Sequence, residues 1–195
     1  MKLSSLLAAA VWSGTVAIAQ TTSTTPPAAP PSPAATRALD VAPPADAASA
    51  DAIVRALYTG VSHAPGEDPD WSHLRTIFLP AGRLIPPRRA NGDFTFLTAD
   101  DFIARVSKGI ATRKAEGKEA GFSEREIARK TDCYGNICQL FSTYESRYTA
   151  ADPKPFTRGI NAIQLVKDGN RWWIVNVLWD QETPEKPIPV GYLAR

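Results

Sequence analysis

Two cysteines, two histidines and a handful of carboxylates are the side chains here whose type and spacing could support chemistry. Cys133 and Cys138 stand in TDCYGNICQ, around a Gly135-Asn136 pair. Both turn residues tolerate positive φ, so the spacing predicts a two-residue hairpin in which Tyr134 faces Ile137 and Cys133 faces Cys138. That second pair is a non-hydrogen-bonded one, with Cα atoms about 4.5 Å apart, within reach of a disulfide. Closing so short a loop is worth about 2 kcal/mol in the chain-entropy view. No further Cys or His lies near enough in sequence to complete a tetrahedral metal set, and the two-residue spacing of redox pairs is absent. The pair reads as a structural staple, with no metal. His63 falls in a loop and His73 on a helix, so neither occupies a strand. Asp100 and Asp101 open a helix, while Asp180 and Glu182 end the last strand. Proton transfer by any of these acids would need a buried carboxyl with a raised pKa.

The elements that must position these groups follow from periodicity. SADAIVRALYTGV carries Ile53, Ala56, Leu57 and Val61 on one helical face, with Ser49 as N-cap. Asp70 caps a second helix, WSHLRTIFL, with Trp71, Leu74, Ile77 and Phe78 as its stripe, and Pro80 stops it. A hairpin is expected next, GRLIPPRR and DFTFLT about Asn91-Gly92, with Pro86 and Pro87 restricting its first arm to an edge. Thr98 caps a third helix, residues 99–117, with Asp101 completing a capping box and Phe102, Val106 and Ile110 facing inward. Four long strands follow: FSEREIARKTD, NICQLFSTYESRY, RGINAIQLVK and RWWIVNVLWD, the last two joined by the tight turn Asp168-Gly169-Asn170. Helices segregated from consecutive, tightly connected strands indicate an α+β domain with an antiparallel sheet.

The front of the chain belongs to something else. Met1-Lys2, then LLAAAVWSGTVAIA, then Ala17-Ile18-Ala19 form the positive, apolar and small-x-small segments of a secretory leader, residues 1–19. Residues 20–48 hold seven prolines among Ala and Thr, a composition expected to remain an extended tether. The folded domain is then 49–195, and the protein is exported, periplasmic or secreted, with no membrane association once the leader is cleaved. With 22 Lys and Arg against 20 Asp and Glu, the chain has no electrostatic reason to seek nucleic acid.

The phrases DWSHLRTIFLPAGRLIP, FSTYESR and RGINAIQLVKDGNRWWIVNVLWDQE, in this order of elements, resemble the nuclear transport factor 2-like (NTF2-like) superfamily, and within it the SnoaL-like group. The resemblance spans about Ala50 to Glu182. It implies a cone, a curved sheet wrapped around three helices with a pocket at the open end, and homodimers through the outer sheet face. It implies little chemistry, since such folds host isomerases, dehydratases, cyclases and proteins without a reaction. By this resemblance Trp172, Ile174, Asn176 and Leu178 line the concave side, and Trp173, Val175, Val177 and Trp179 face outward. An outward patch of that size calls for a cover, either a second copy or the C-terminal tail PEKPIPVGYLAR. Tyr144, Asn161, Trp172, Asn176 and Asp180 are the pocket candidates, with Tyr144, Asn161 and Asn176 able to hydrogen-bond a ligand oxygen. A ketosteroid isomerase-like site needs a carboxylate base with Tyr and acid donors, and a scytalone dehydratase-like site needs paired histidines. The inward positions supply neither. The expected function is therefore binding of a small, mostly apolar molecule without cofactor. Two alternatives stand beside it: a cofactor-independent lyase or isomerase using Asp100, Asp101 or Asp180, and an interaction module with a filled core.

Overall fold

Each helix begins at a side chain that satisfies its free amides. In the computed structural model, which describes residues 44–193 except 89 and 91, Ser49 Oγ accepts from Ala52 N at 3.0 Å to open α1 (Ala50–Val61). Asp70 accepts from His73 N at 3.0 Å to open α2 (Trp71–Ile77). Thr98 and Asp101 bond reciprocally at the start of α3 (Ala99–Ala115), a complete capping box. Such caps are worth about 0.5–2 kcal/mol each. The expected leader, nearly all of the tether, and Asn91 of the first turn lie outside the described residues. The domain begins earlier than residue 49, because Ala47 in a short turn of helix (Ala45–Ala47) is fully buried.

Helix α2 stops three residues before Pro80, and Phe78 starts β1 (Phe78–Ile85). Pro80 has no N–H to give a ladder, and the pairing is irregular between Phe78 and Arg83. β1 pairs parallel to β5, so the sheet is mixed where an antiparallel one was expected. The anticipated hairpin arm 93–98 is no strand. Its only ladder contact is the bridge Leu84 to Leu97, since Pro86 and Pro87 end β1 just beyond it. The other four strands are β2 (Ser123–Tyr134), β3 (Ile137–Arg147), β4 (Thr157–Asp168) and β5 (Arg171–Gln181), in the spatial order β1-β5-β4-β3-β2. This curved, unclosed sheet with three helices is the α+β architecture of an NTF2-like cone. Its core joins Ile53, Leu57, Leu74 and Ile77 of the helices to Leu140, Ile163 and Ile174 of the sheet.

The β2–β3 hairpin closes as counted. Tyr134 pairs with Ile137, Cys133 with Cys138, and the disulfide forms across a Cα separation of 4.1 Å. Gly135 takes φ of 55°, the left-handed value the turn requires.

The last strand departs from its expected parity. Gln164 pairs with Asn176 but Leu165 pairs with Ile174, which leaves Val175 as an extra residue, a β-bulge. Trp172 and Ile174 face the core as expected. Beyond the bulge every side chain changes face. Val177 is 4 % exposed within the core and Trp179 packs against it, so neither belongs to an outer face. Asn176 instead lies on the outer face and donates to Gln164 Oε1 at 2.9 Å, with Leu178 beside it at 42 % exposure. Trp173 keeps its outward position yet is only 7 % exposed, with the Arg171 guanidinium 3.6 Å above its ring. The C-terminal tail does fold back, over β2 and β3 rather than β5. Thr143 Oγ1 donates to Tyr192 O at 2.5 Å, and Lys130 Nζ lies 4.3 Å above the Tyr192 ring.

Candidate functional site

Between α1, α3 and the concave sheet lies a cavity of about 220 Å³. Leu57, Val61, Leu84, Val177 and Trp179 form its apolar wall, and Glu124, Tyr144, Ser146 and Asn161 its polar end. The bulge in β5 supplies two of the wall residues.

A second bulge supplies the acid. Counting back from the disulfide along an unbroken ladder would set Ile127 opposite Tyr144 and Arg125 opposite Ser146. The pairing slips at Ile127, so that Glu126 sits opposite Tyr144 and Glu124 opposite Ser146. Two glutamates thus turn toward the concave side. Ser146 Oγ donates to Glu124 Oε2 at 2.9 Å. Burial pushes the Glu124 carboxyl up to about 7, against hydrogen bonds from Ser146 and Asn161 that favour the charged form.

The hydroxyls around it are ordered in one direction. Ser142 Oγ donates to Glu126 Oε2 at 2.5 Å, which leaves it to accept from Tyr58 Oη at 2.6 Å. Tyr58 in turn accepts from Asn161 Nδ2 at 3.1 Å. Arg129 fixes the far end, its Nε 2.8 Å from Glu126 Oε1 and its Nη1 2.5 Å from Asp51 of α1. The Tyr58 proton is therefore committed to Ser142 and unavailable to the cavity. Tyr144 differs. It is 3 % exposed and lines the cavity, yet among the described residues no hydrogen bond engages its hydroxyl. Desolvation, then the Glu124 charge, hold its pKa well above the ordinary phenol value, so it keeps its proton as a donor. Gly159 makes room for it, since a Cβ there would stand 2.6 Å from Tyr144 Oη and 2.3 Å from Asp180 O.

Of the residues singled out from sequence, Tyr144 and Asn161 line the cavity together. Trp172 packs against the buried cluster instead of lining it. Asn176 lies on the opposite sheet face for the reason given above. Asp180 is exposed and paired with Lys186. Asp100 bonds Arg75 at 2.6 Å and Asp101 is spent in the capping box, its pKa lowered by Thr98. The rim acids of the alternative reading are thus engaged elsewhere. Glu145 faces away from Tyr144, clamped by Arg147 and Arg125, and its pKa is lowered by them. His63 bridges Phe122 through its backbone, and His73 stands 3.7 Å from Asp46. No three His, Cys, Asp or Glu side chains among the described residues gather as a metal site. Glu124 is the residue that sequence reasoning missed. β2 is charged along both faces, so nothing but the ladder count from Cys133 could signal its parity, and that count fails at the bulge.

No family model matches the chain, and no curated protein matches it. Solved structures are similar to it at low identity. An NTF-2 like protein of unknown function from Silicibacter pomeroyi shares 17 % identity over 68 % of this chain and 92 % of that one, with a TM-score of 0.44. An NTF2-like protein of unknown function from Shewanella baltica shares 13 % over 67 % and 91 %, TM-score 0.44. A protein with a cystatin-like fold from Caulobacter vibrioides shares 12 % over 69 % and 88 %, TM-score 0.47. These likenesses concern the fold and say nothing of chemistry.

Proposed function

We propose that this NTF2-like domain takes a small, mostly apolar molecule into the 220 Å³ cavity and holds its single oxygen function at the Glu124–Tyr144 end. The observation that carries this reading is the Tyr144 hydroxyl, a donor with no hydrogen-bond partner among the described residues, presented at the polar end of a largely apolar chamber. A ligand carbonyl placed there gains a hydrogen bond worth about 0.5–1.5 kcal/mol. Titration with pentan-2-one followed by ligand-observed NMR tests it. Saturable binding weakened about tenfold by Tyr144→Phe is expected, the worth of one hydrogen bond in a dry site. Absence of saturable binding, or equal affinity in the variant, defeats the reading.

A second reading rests on Glu124. A carboxyl near 7 is matched to proton transfer at neutral pH, as in a cofactor-independent isomerase or lyase. The Glu124 carboxylate would take a proton from the carbon next to a carbonyl, the C–H electron pair would pass to the carbonyl oxygen, and Tyr144 would donate to the resulting oxyanion. Returning the proton completes the cycle. In D₂O, protein-dependent deuteration of pentan-2-one that rises through pH about 7 and vanishes in Glu124→Gln supports this; a rate equal to buffer removes it.

The leader, the tether and the Cys133–Cys138 disulfide support export, and no helix among the described residues is long and apolar enough to cross a membrane. A homodimer through the outer face would use Leu178 and its neighbours rather than Val177 and Trp179, and light scattering of the purified chain tests it.

A further inference from the structure

A second hollow adjoins the cavity at its aromatic rim. Val61, Phe102, Phe122 and Phe156 line the 220 Å³ chamber on one side and a second hollow of about 480 Å³ on the other. The outer hollow continues over Trp71 and Val106 to Tyr148. The rings at the boundary support one another. Phe102 meets Trp179 edge-on at 6.4 Å, and Phe122, Phe156 and Tyr148 form a ladder with centroids 6.2 and 4.5 Å apart. Phe156 and Tyr148 nonetheless stay 45 % and 54 % exposed, a large apolar area left wet at one mouth. The inner chamber alone is smaller than the ~300–1,000 Å³ usual for ligand pockets, whereas the two hollows together fall within that range. Helix α3 fits the same picture, since Phe102 and Val106 of its apolar stripe are only partly buried and line these hollows, Phe102 while also packing against the core.

We infer that the natural ligand is elongated. Its oxygen-bearing head occupies the inner chamber, and an unbranched or narrow apolar body passes the Phe102–Phe122–Phe156 collar into the outer hollow. This rests on the ligand reading above and adds the shape and apolar length of the molecule. A compact polycycle filling only the inner chamber would leave the outer aromatic wall without a use.

A homologous series of methyl ketones from butanone to undecan-2-one, titrated into the purified 195-residue chain by ligand-observed NMR, tests it. Each buried methylene adds about fourfold in affinity, so binding should tighten on the order of fiftyfold between hexan-2-one and nonan-2-one. Val106→Trp, which fills the outer hollow, should cancel that gain and leave butanone binding unchanged. Affinity that is flat from hexan-2-one upward, while butanone binds saturably, overturns the elongated ligand and leaves the simpler binding reading intact. A Val106→Trp loss equal at every chain length also overturns it. Failure of every ketone to bind removes both readings together.

Discussion

Glu124→Gln isolates the one carboxyl, among the described residues, whose proton the fold holds too tightly. Its pKa rises from the ordinary 4.5 to about 7 on burial. Because the folded state then binds the proton more firmly than the unfolded chain, this residue subtracts stability as pH rises from about 4.5, and the full cost is present above about 7. At roughly 1.4 kcal/mol per pKa unit, that cost is of the order of 3 kcal/mol. Glutamine keeps the shape and the acceptor for Ser146 Oγ but carries no charge to desolvate. The variant should therefore match the wild type near pH 4 and exceed it by up to about 3 kcal/mol at pH 8. Urea unfolding followed by tryptophan fluorescence, with the disulfide intact, measures the difference at each pH. Groups with lowered pKa, such as Asp101 and Glu145, act in the opposite sense at lower pH and cancel between the two proteins. Stability curves running parallel from pH 4 to 8 would refute the desolvated carboxyl and the proton-transfer reading built on it.

Tyr144→Phe removes a hydroxyl that no described residue bonds, so urea unfolding should show a stability change within about 0.5 kcal/mol; a loss beyond 2 kcal/mol would mean the hydroxyl has a structural partner. Gly159→Ala places a methyl against Tyr144 Oη and the Asp180 carbonyl, and should cost about 1–3 kcal/mol by the same assay. Deleting Val175 joins Ile174 directly to Asn176 in an unbroken ladder and leaves Val177 and Trp179 facing the core. That variant should keep a native-like near-UV dichroism, and aggregation or loss of the spectrum would contradict the assignment of Val175 as the extra residue.

The caps and the turn were legible in the sequence because each is decided by two or three neighbouring residues. Ser49, Asp70 and Thr98 start their helices as expected, and the Gly135-Asn136 turn brings Cys133 to Cys138. What escaped was decided by an extra residue inside a strand. RWWIVNVLWD is apolar at nearly every position, so its pattern cannot reveal that the parity changes at Val175. SEREIARK is polar at nearly every position, and the slip at Ile127 is equally silent there. The candidate site was consequently half visible: Tyr144 and Asn161 lie on the regular strands β3 and β4, while Glu124 and Trp179 lie beyond bulges. Helix α2 misled for a different reason, because Phe78 and Leu79 continue the helical spacing while Pro80 compels an edge strand.

The covalent link at the hairpin tip governs more than local stability. With Cys133 fastened to Cys138, strand β2 has one end whose alignment cannot drift, and the discrepancy of a single residue must be absorbed further along, at Ile127. That one position decides the electrical character of the interior: the tip alignment carried on without a break would set Arg125 opposite Ser146, a fixed cation at the head of the chamber, and the extra residue sets Glu124 there, a proton acceptor, instead.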